Sequence, residues 1–294
     1  MSGRSQVIRL SNRAQVAVEE YGDARGVPVV FCHGWPSSRT MAELTHDAAC
    51  ELGVRIISPD RPGIRDSAFH PNRTLLDWPP LIREVADQLE LETFRMLGIS
   101  GGAPYAFVTA WAMPERVQAI AVVNGVPPIA DLSDRTGLMP LHNRLLALRQ
   151  RTPRLLRLMF HLVRPIAATR IPMRLQRWVM RTWHGYDANM KRDTAAFDSC
   201  FESARQAWRA SVRGIMADAE IFATPWGFPL EDIRVPVRLW HGTHDRTFHY
   251  SLAEQLAKNL PNCTLRIVEN AGHFSLPIRQ IREILADLIA TPAR

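Results

Sequence analysis

The sequence contains few cysteines, and their positions exclude several kinds of site. Only 4 of the 294 residues are cysteine, and no C-x-x-C pair occurs among Cys32, Cys50, Cys200 and Cys263. Widely spaced cysteines of this kind are typical of small buried residues in a reducing compartment, and not of disulfide scaffolds or zinc sites. We therefore expect no disulfide, no metal site and a cytoplasmic location.

Long hydrophobic runs are also absent. No stretch reaches the roughly 18 apolar residues that a transmembrane helix needs. Residues 1–9 lack the apolar segment of a secretory signal, so no signal peptide is expected. The 46% hydrophobic and 22% charged residues are ordinary for a globular protein. The length allows one large α/β domain, or a core with an inserted second unit.

Acidic residues are outnumbered by basic ones, 29 to 36, which gives a net charge of +7. No basic run, zinc-finger spacing or aromatic RNA-binding motif accompanies this excess, so we expect no nucleic-acid partner. Residues 126–232 contain 16 Lys and Arg against 10 Asp and Glu. This middle region alone has a net charge of +6, nearly all of the total.

Strand-like and helix-like segments alternate along most of the chain. Helices are predicted at 39–52, 75–91, 103–113, 252–260 and 277–289. This alternation predicts βαβ units and a mostly parallel sheet covered on both faces, with an antiparallel edge formed by the first two strands. The eight predicted strands are 6–10, 15–21, 27–32, 54–58, 93–99, 117–124, 235–240 and 263–268.

The alternation stops between the sixth and seventh predicted strands. Residues 126–232 are predicted to be helical, with breaks at prolines that include Pro153 and Pro165. Because strands flank this region on both sides, we interpret it as an insertion into the sheet order. The predicted organisation is a first core segment at 1–125, the helical insertion at 126–232 and a second core segment at 233–294.

The pattern G-x-S-x-G occurs at residues 98–102, between a predicted strand and a predicted helix. A serine on such a sharp turn is held clear of the backbone, and the first amides of the helix point toward it. A glycine-rich turn without chemistry is the alternative for an isolated motif. Ser100 is therefore a candidate nucleophile, and residues elsewhere in the chain must supply the base and the orienting group that would support this role.

A serine hydroxyl needs a base within hydrogen-bonding reach and a third group that orients the base. In parallel sheets such groups gather at the carboxyl ends of strands. Asp245 and His273 each follow a predicted strand, although a turn aspartate is an equally common reading of Asp245. Only His273 completes the order Ser, Asp, His at a strand end. The competing histidines are His241, His244 and His249 beside Asp245, and His142, His161 and His184 in the insertion.

Four motifs together resemble the α/β-hydrolase fold superfamily over nearly the whole chain. They are His-Gly-Trp-Pro at 33–36, Asp-Arg-Pro-Gly at 60–63, the serine motif at 98–102 and Asn-Ala-Gly-His at 270–273. The resemblance implies an eight-stranded, mostly parallel α/β-hydrolase sheet with a helical cap at 126–232. It also implies that Ser100 is the nucleophile, His273 the base and Asp245 the acid. The backbone N–H groups of Trp35 and Gly101 would form the oxyanion hole, and no metal or cofactor is implied.

One motif also points to a different chemistry. The His-Gly-Trp-Pro segment resembles that of epoxide hydrolases and haloalkane dehalogenases, which use an aspartate nucleophile. This chain carries Ser100 at that position. A serine alkoxide suits acyl transfer better than the opening of an epoxide, so we favour acyl transfer.

The composition of the insertion predicts an apolar pocket. Leucines are dense between residues 145 and 162, and the bulky aromatic residues are Trp178, Trp183, Trp208 and Trp226. Most should pack on the core, and the remainder should line a pocket for a small hydrophobic substrate. Arginines alternate with these leucines from Arg144 to Arg181. Three interpretations of these arginines stay open: a solvated helix face, a membrane-surface face, or a site for an acidic substrate or acidic carrier protein.

The sequence therefore predicts a serine hydrolase that cleaves a hydrophobic carboxylic ester, thioester or lactone through an acyl-enzyme. A non-hydrolytic enzyme of the same fold, such as a lyase, cyclase or cofactor-free oxygenase, keeps the site but changes the reaction. A ligand-binding protein that retains the three residues with little turnover is the alternative from another class.

Overall fold

One sheet of eight strands organises the chain. The computed structural model describes residues 3–170, 178, 181, 187 and 194–292. The strand order across the sheet is β1-β2-β4-β3-β5-β6-β7-β8. The strands are β1 Arg4–Arg9, β2 Gln15–Gly22, β3 Val27–Cys32, β4 Val54–Pro59, β5 Phe94–Ile99, β6 Val117–Val123, β7 Val237–Gly242 and β8 Cys263–Val268.

The directions of the strands match the predicted sheet. β2 runs antiparallel to both of its neighbours, β1 and β4. The remaining pairs, from β4–β3 through β7–β8, are parallel. The expectation of a mostly parallel eight-stranded sheet with an antiparallel edge is therefore confirmed. Parallel strands place their carboxyl ends along the same edge, which brings distant polar residues together.

Helices cover both faces of this sheet, as predicted. On one face, α2, α3 and α8 pack through residues such as Phe107. On the other face, α1 and α9 pack through residues such as Leu285. The helices are α1 His46–Leu52, α2 Trp78–Gln88, α3 Ala103–Ala112, α4 Pro140–Arg151, α5 Pro153–Ala167, α6 Thr194–Ala210, α7 Val212–Phe222, α8 Tyr250–Lys258 and α9 Ser275–Ala290.

Several element boundaries differ from the predicted ones. The segment predicted as one helix at 39–52 divides into a 3₁₀ helix, Arg39–Thr45, and α1. β7 begins at Val237, two residues later than predicted, because Pro236 has no N–H group to donate within a sheet. Pro165 is predicted to be a break, but it lies inside α5, which continues to Ala167; the missing N–H removes only one hydrogen bond of the helix.

Helices α4 to α7 lie between β6 and β7 in the chain, and we call them the inserted helices. Their position agrees with the predicted helical character of this region, while the boundaries at 125/126 and 232/233 stay predictions. Trp183, His184 and two arginines of the Arg144–Arg181 stretch, Arg174 and Arg177, lie outside the described residues. Within the part of the chain that is described, no helix is both long and apolar enough to cross a bilayer.

Candidate active site

Ser100 lies on a sharp turn directly after β5 and before α3. Its φ angle is +52°, in the left-handed region that non-glycine residues seldom occupy. The two residues that follow have no room for a side chain. A Cβ on Gly101 would lie 2.7 Å from the Trp35 Cβ, and one on Gly102 would lie 1.9 Å from the Cys32 carbonyl oxygen. A Cβ on Gly98, the first glycine of the pattern, would lie 2.9 Å from the Gly102 carbonyl oxygen. Close backbone packing around the serine therefore accounts for both glycines of G-x-S-x-G.

The structure brings Ser100, His273 and Asp245 into one hydrogen-bonded chain. His273 Nε2 lies 3.0 Å from Ser100 Oγ, and His273 Nδ1 lies 2.8 Å from Asp245 Oδ2. The three residues follow β5, β8 and β7, respectively, so each comes from the carboxyl end of a different strand. This is the geometry that a base-activated nucleophile requires.

Both carboxylate oxygens of Asp245 accept hydrogen bonds, which fix its orientation. Its Oδ1 accepts hydrogen bonds from the backbone N–H groups of Thr247, at 2.7 Å, and Phe248, at 3.1 Å. Burial by itself raises the pKa of this carboxyl, but the charge and hydrogen bond of His273 outweigh burial and hold the pKa below its ordinary value. The ionised carboxylate accepts a hydrogen bond from the N–H group at His273 Nδ1, which leaves Nε2 free to accept the Ser100 hydroxyl proton.

The pKa of His273 is shifted in the opposite direction. Burial lowers the pKa of the imidazole, whereas the Asp245 carboxylate, with a smaller effect from Asp187, raises it. The net pKa lies above the ordinary value of 6.5. A base of raised pKa beside a serine hydroxyl suits general base catalysis near neutral pH.

Among the competing histidines of the described residues, His241 has a ring nitrogen close to an Asp245 carboxylate oxygen. Its Nε2 lies 3.5 Å from Asp245 Oδ2, but its hydrogen bond goes to the Phe248 carbonyl at 2.8 Å. Burial lowers the pKa of His241, so this ring stays neutral. It supports the Asp245 loop, while His273 alone of the described histidines contacts both Ser100 and Asp245.

The loop that carries Trp35 is packed tightly against the serine turn. A Cβ on Gly101 would lie 3.0 Å from the Trp35 backbone nitrogen, so the two predicted oxyanion donors are close neighbours. The Trp35 indole donates to the Ile215 carbonyl of α7 at 2.9 Å. His33, fully buried, bonds through Nδ1 to the Gly34 carbonyl at 3.0 Å. These bonds fix the loop between the sheet and an inserted helix.

A buried ionic network also holds the loop that carries Trp35. The Arg61 guanidinium donates to the carbonyl groups of His33 and Gly34 and to Asp218 of α7, the last at 2.8 Å. Asp218 also accepts hydrogen bonds from Arg73 and from the Tyr105 hydroxyl. Burial alone raises the pKa of Asp218, but the two arginines hold it below its ordinary value. The loop, α3 and α7 are therefore joined through one charged centre.

Asn124 braces the base, and motif analysis did not identify it. Its side-chain nitrogen donates to the carbonyl groups of Gly272 and His273, both at 3.0 Å. Its side-chain oxygen accepts from the Gly242 N–H at 3.1 Å. Asn124 follows β6 with a φ of +47°, so the available signal was a polar residue at the end of a buried strand.

Asp187 is a second residue that sequence analysis missed. Its carboxylate accepts hydrogen bonds from the backbone N–H groups of Ser275, at 2.9 Å, and Phe274, at 3.2 Å. A Cβ on Gly272 would lie 2.5 Å from its Oδ1, so a larger residue there would displace this carboxylate. This carboxylate comes from the insertion, 86 residues before His273, and no local pattern in the sequence marks it.

Ser100 and His273 open onto a cavity of about 600 Å³. The volume is in the range of small-molecule sites. Its walls are mostly apolar, and the inserted helices contribute Leu141, Leu145, Leu156, Met159, Phe160 and Val163.

One inserted-helix histidine, His142, also lines this cavity and stacks on Phe248, with ring centroids 5.4 Å apart. Burial lowers the pKa of His142 to about 4, so the imidazole is neutral at ordinary pH. Its Nδ1 is buried without a hydrogen-bond partner among the described residues. In the same part of the chain, no group of three or more His, Cys, Asp or Glu side chains is arranged to hold a metal ion.

Comparison with known proteins places the chain in a family. A family model described as the alpha/beta hydrolase family matches residues 29–286. The uncharacterized hydrolase YcgS of Bacillus subtilis is 28% identical over 102 residues, which are 35% of this chain and 36% of that protein. The non-heme chloroperoxidase of Streptomyces lividans is 29% identical over 129 residues, 43% of this chain and 47% of that protein. The chain thus spans less than half the length of these curated relatives.

A solved structure matches over the full length. The esterase EaEST from Exiguobacterium antarcticum superposes with a TM-score of 0.69 at 21% identity, covering 98% of each chain. At this identity the likeness supports the fold and leaves the reaction to be argued from the site.

Proposed function

The chain belongs to the alpha/beta hydrolase family, and from the geometry of its site we propose that it is a serine hydrolase that cleaves a hydrophobic carboxylic ester, thioester or lactone through an acyl-enzyme. One observation carries the proposal. The chain of hydrogen bonds from Ser100 through His273 to Asp245 ends at the wall of an apolar cavity. The hydrolase relatives support an enzyme, and the serine chemistry rests on this geometry.

In the proposed first step, Ser100 Oγ attacks the substrate carbonyl while His273 Nε2 takes the hydroxyl proton. The backbone N–H groups of Trp35 and Gly101 stabilise the negative charge that forms on the carbonyl oxygen. The protonated His273, held by the Asp245 carboxylate, then donates its proton to the leaving alcohol or thiol. An acyl group remains on Ser100.

The second step reverses these roles. His273 takes a proton from water, the resulting hydroxide attacks the acyl carbonyl, and the bond to Ser100 Oγ breaks. The serine oxygen recovers its proton from His273, and a carboxylic acid is released. The apolar walls of the cavity favour an acyl or alcohol part of moderate size without charge.

Labelling with a fluorophosphonate tests the proposal. Wild-type protein should gain one adduct on Ser100, identified by peptide mass spectrometry, because only an activated serine reacts quickly with this probe. His273→Ala should react far more slowly. His161→Ala, which removes an exposed histidine of α5, should react like the wild type. An absence of adduct in folded wild-type protein would contradict an activated serine and favour the non-hydrolytic or ligand-binding alternative.

The pH dependence of ester hydrolysis follows from the pKa of His273. Only neutral His273 accepts the Ser100 proton, so activity should rise with pH and reach half of its maximum at the pKa of this residue. Because that pKa lies above its ordinary value of 6.5, we expect the midpoint of the acidic limb above pH 6.5. A profile of kcat/KM against pH measures it, and a midpoint well below 6.5 would contradict the assigned environment of the base.

Replacing Asp187 with asparagine should move this acidic limb to lower pH. The substitution removes a negative charge that raises the pKa of His273, so the neutral imidazole persists at lower pH. An amide has only one oxygen, so one of the Phe274 and Ser275 N–H groups also loses its acceptor, which should lower kcat. Glu269→Gln, which changes an exposed carboxylate in the same loop, should leave the limb in place. Equal shifts in both variants would mean that overall charge, and not Asp187, sets the pKa.

A further inference from the structure

Helix α5 exposes an unusual amount of apolar surface. Nine large hydrophobic side chains are strongly exposed among the described residues, and six of them lie on this one helix. Isolated exposed hydrophobic residues need no explanation, whereas a contiguous patch marks an interaction site. We call these six the outward stripe: Leu155, Leu158, Met159, Leu162, Val163 and Ile166.

The outward stripe is a second apolar face, additional to the one that holds α5 in the fold. The inward face packs Leu156 and Phe160 against α6 and α7 through residues that include Trp208 and Ile215. The members of the outward stripe follow one another at i, i+3, i+4, i+7, i+8 and i+11, so they form a continuous band along the helix. The fold therefore does not need this band for its own core.

Arginines border the outward stripe on one side, and the helices that carry them contain no acidic residue. α4 and α5 together contain six arginines and no aspartate or glutamate. Arg151, Arg154 and Arg157 are exposed, and none of them pairs with an acidic side chain of the described residues. Arg154, Arg157 and His161 follow each other at i, i+3 and i+7, so they border the stripe on one side.

We propose that the outward stripe of α5 docks onto an anionic lipid surface. An amphipathic helix with an apolar face and an arginine border lies in the interface of such a surface, with the apolar side chains among the acyl chains. A second copy of the chain fits less well, because two surfaces that carry the unpaired Arg151, Arg154 and Arg157 would face each other. An acidic protein surface would pair with the arginines but leave the six apolar side chains uncovered.

The same face leads into the candidate active site. Met159 and Val163 belong both to the outward stripe and to the lining of the cavity that holds Ser100. A docked helix would therefore place the cavity entrance at the lipid surface. This step rests on the proposed function, and it implies that the hydrolysed esters are amphiphiles that partition into a bilayer.

Co-sedimentation with vesicles tests the docking. The protein should bind vesicles of about three parts phosphatidylcholine to one part phosphatidylglycerol at least about tenfold more strongly than pure phosphatidylcholine vesicles. The triple variant Leu158→Gln, Leu162→Gln, Ile166→Gln should lower the partition coefficient by about tenfold or more. These three side chains do not line the cavity, so hydrolysis of a soluble short-chain ester should persist. The matched control is Val7→Gln with Leu76→Gln, two exposed apolar residues elsewhere, and it should bind like the wild type.

A second arm separates lipid docking from its alternatives. Vesicle binding should weaken in the double variant Arg151→Gln, Arg154→Gln. Binding of the wild type should also weaken at about 0.5 M salt, which screens the attraction between arginines and lipid headgroups. Binding that depends on the arginines but not on the leucines would point to an acidic protein surface and overturn the proposal. A dimer that the triple glutamine variant converts to monomer, or equal losses in the control, would also overturn it. Repeating the sedimentation with Ser100→Ala keeps the result independent of hydrolysis, so a failure of the proposed reaction is distinguishable from a failure of docking.

Discussion

Replacing Ser100 with alanine is expected to reduce kcat for a hydrolysed ester by about a millionfold. The variant keeps the cavity, the oxyanion donors and the His273–Asp245 pair, but it has no oxygen to form the acyl-enzyme. What remains should come from binding and from stabilisation of the oxyanion alone. The measurement is the initial rate of hydrolysis at saturating substrate, with the wild-type ester chosen from a screen of acyl-chain lengths.

A matched serine tests the specificity of this loss. Ser203 is as deeply buried as the catalytic candidate, but its hydroxyl bonds to Ser37 and Ser38, outside the cavity lining. Ser203→Ala should retain most of the activity, provided that its melting temperature stays near that of the wild type. If Ser100→Ala keeps more than about one hundredth of the wild-type rate, a covalent serine mechanism is wrong and a reaction without an acyl-enzyme is favoured.

Replacing Asp218 with asparagine is expected to lower the free energy of unfolding by about 3–5 kcal/mol. The carboxylate is fully buried and receives hydrogen bonds from Arg61, Arg73 and Tyr105. An amide of the same shape removes the charge and leaves two buried guanidinium groups without compensation. Urea denaturation followed by circular dichroism measures the change. The expected loss is a large fraction of the total stability of an ordinary domain.

Glu220 supplies the control from the same helix. It pairs with Arg149 through two hydrogen bonds, but more than half of its side chain is exposed. Glu220→Gln should therefore cost about 1 kcal/mol or less, since water screens an exposed ion pair. Similar losses in the two variants would contradict the view that the buried network, and not charge on α7 in general, stabilises the fold.

The network also has a consequence for the site. Arg61 holds the carbonyl groups of His33 and Gly34, and the next residue along the loop is Trp35, a proposed oxyanion donor. An Asp218→Asn protein that remains folded at low temperature should show a lower kcat with little change in KM, because the donor is misplaced in the transition state more than in the bound substrate. A change confined to KM would assign the network to substrate binding.

The sequence by itself determined the sheet, its antiparallel edge and the place of Ser100. Buried strands appear as continuous apolar runs, and helices appear as periodic ones, so their order is readable from local pattern alone. The serine turn was readable because strand and helix backbones nearly touch there, which leaves no room for a side chain at Gly98 or Gly102. Such signals depend on residues within a few positions of one another.

Only the tertiary structure decided which distant side chains meet. His241 and His273 both lie near Asp245. The structure distinguishes them, because His241 is hydrogen-bonded to the Phe248 carbonyl whereas His273 is hydrogen-bonded to Ser100. Asp187 reaches Ser275, at the start of the helix that follows His273, across 88 residues. The leucines of the insertion gave no sign of which would face the cavity and which would face outward, because helical periodicity records an apolar face but not what covers it. Packing of the inserted helices on the sheet settled that division, with Phe160 turned inward and Leu162 outward.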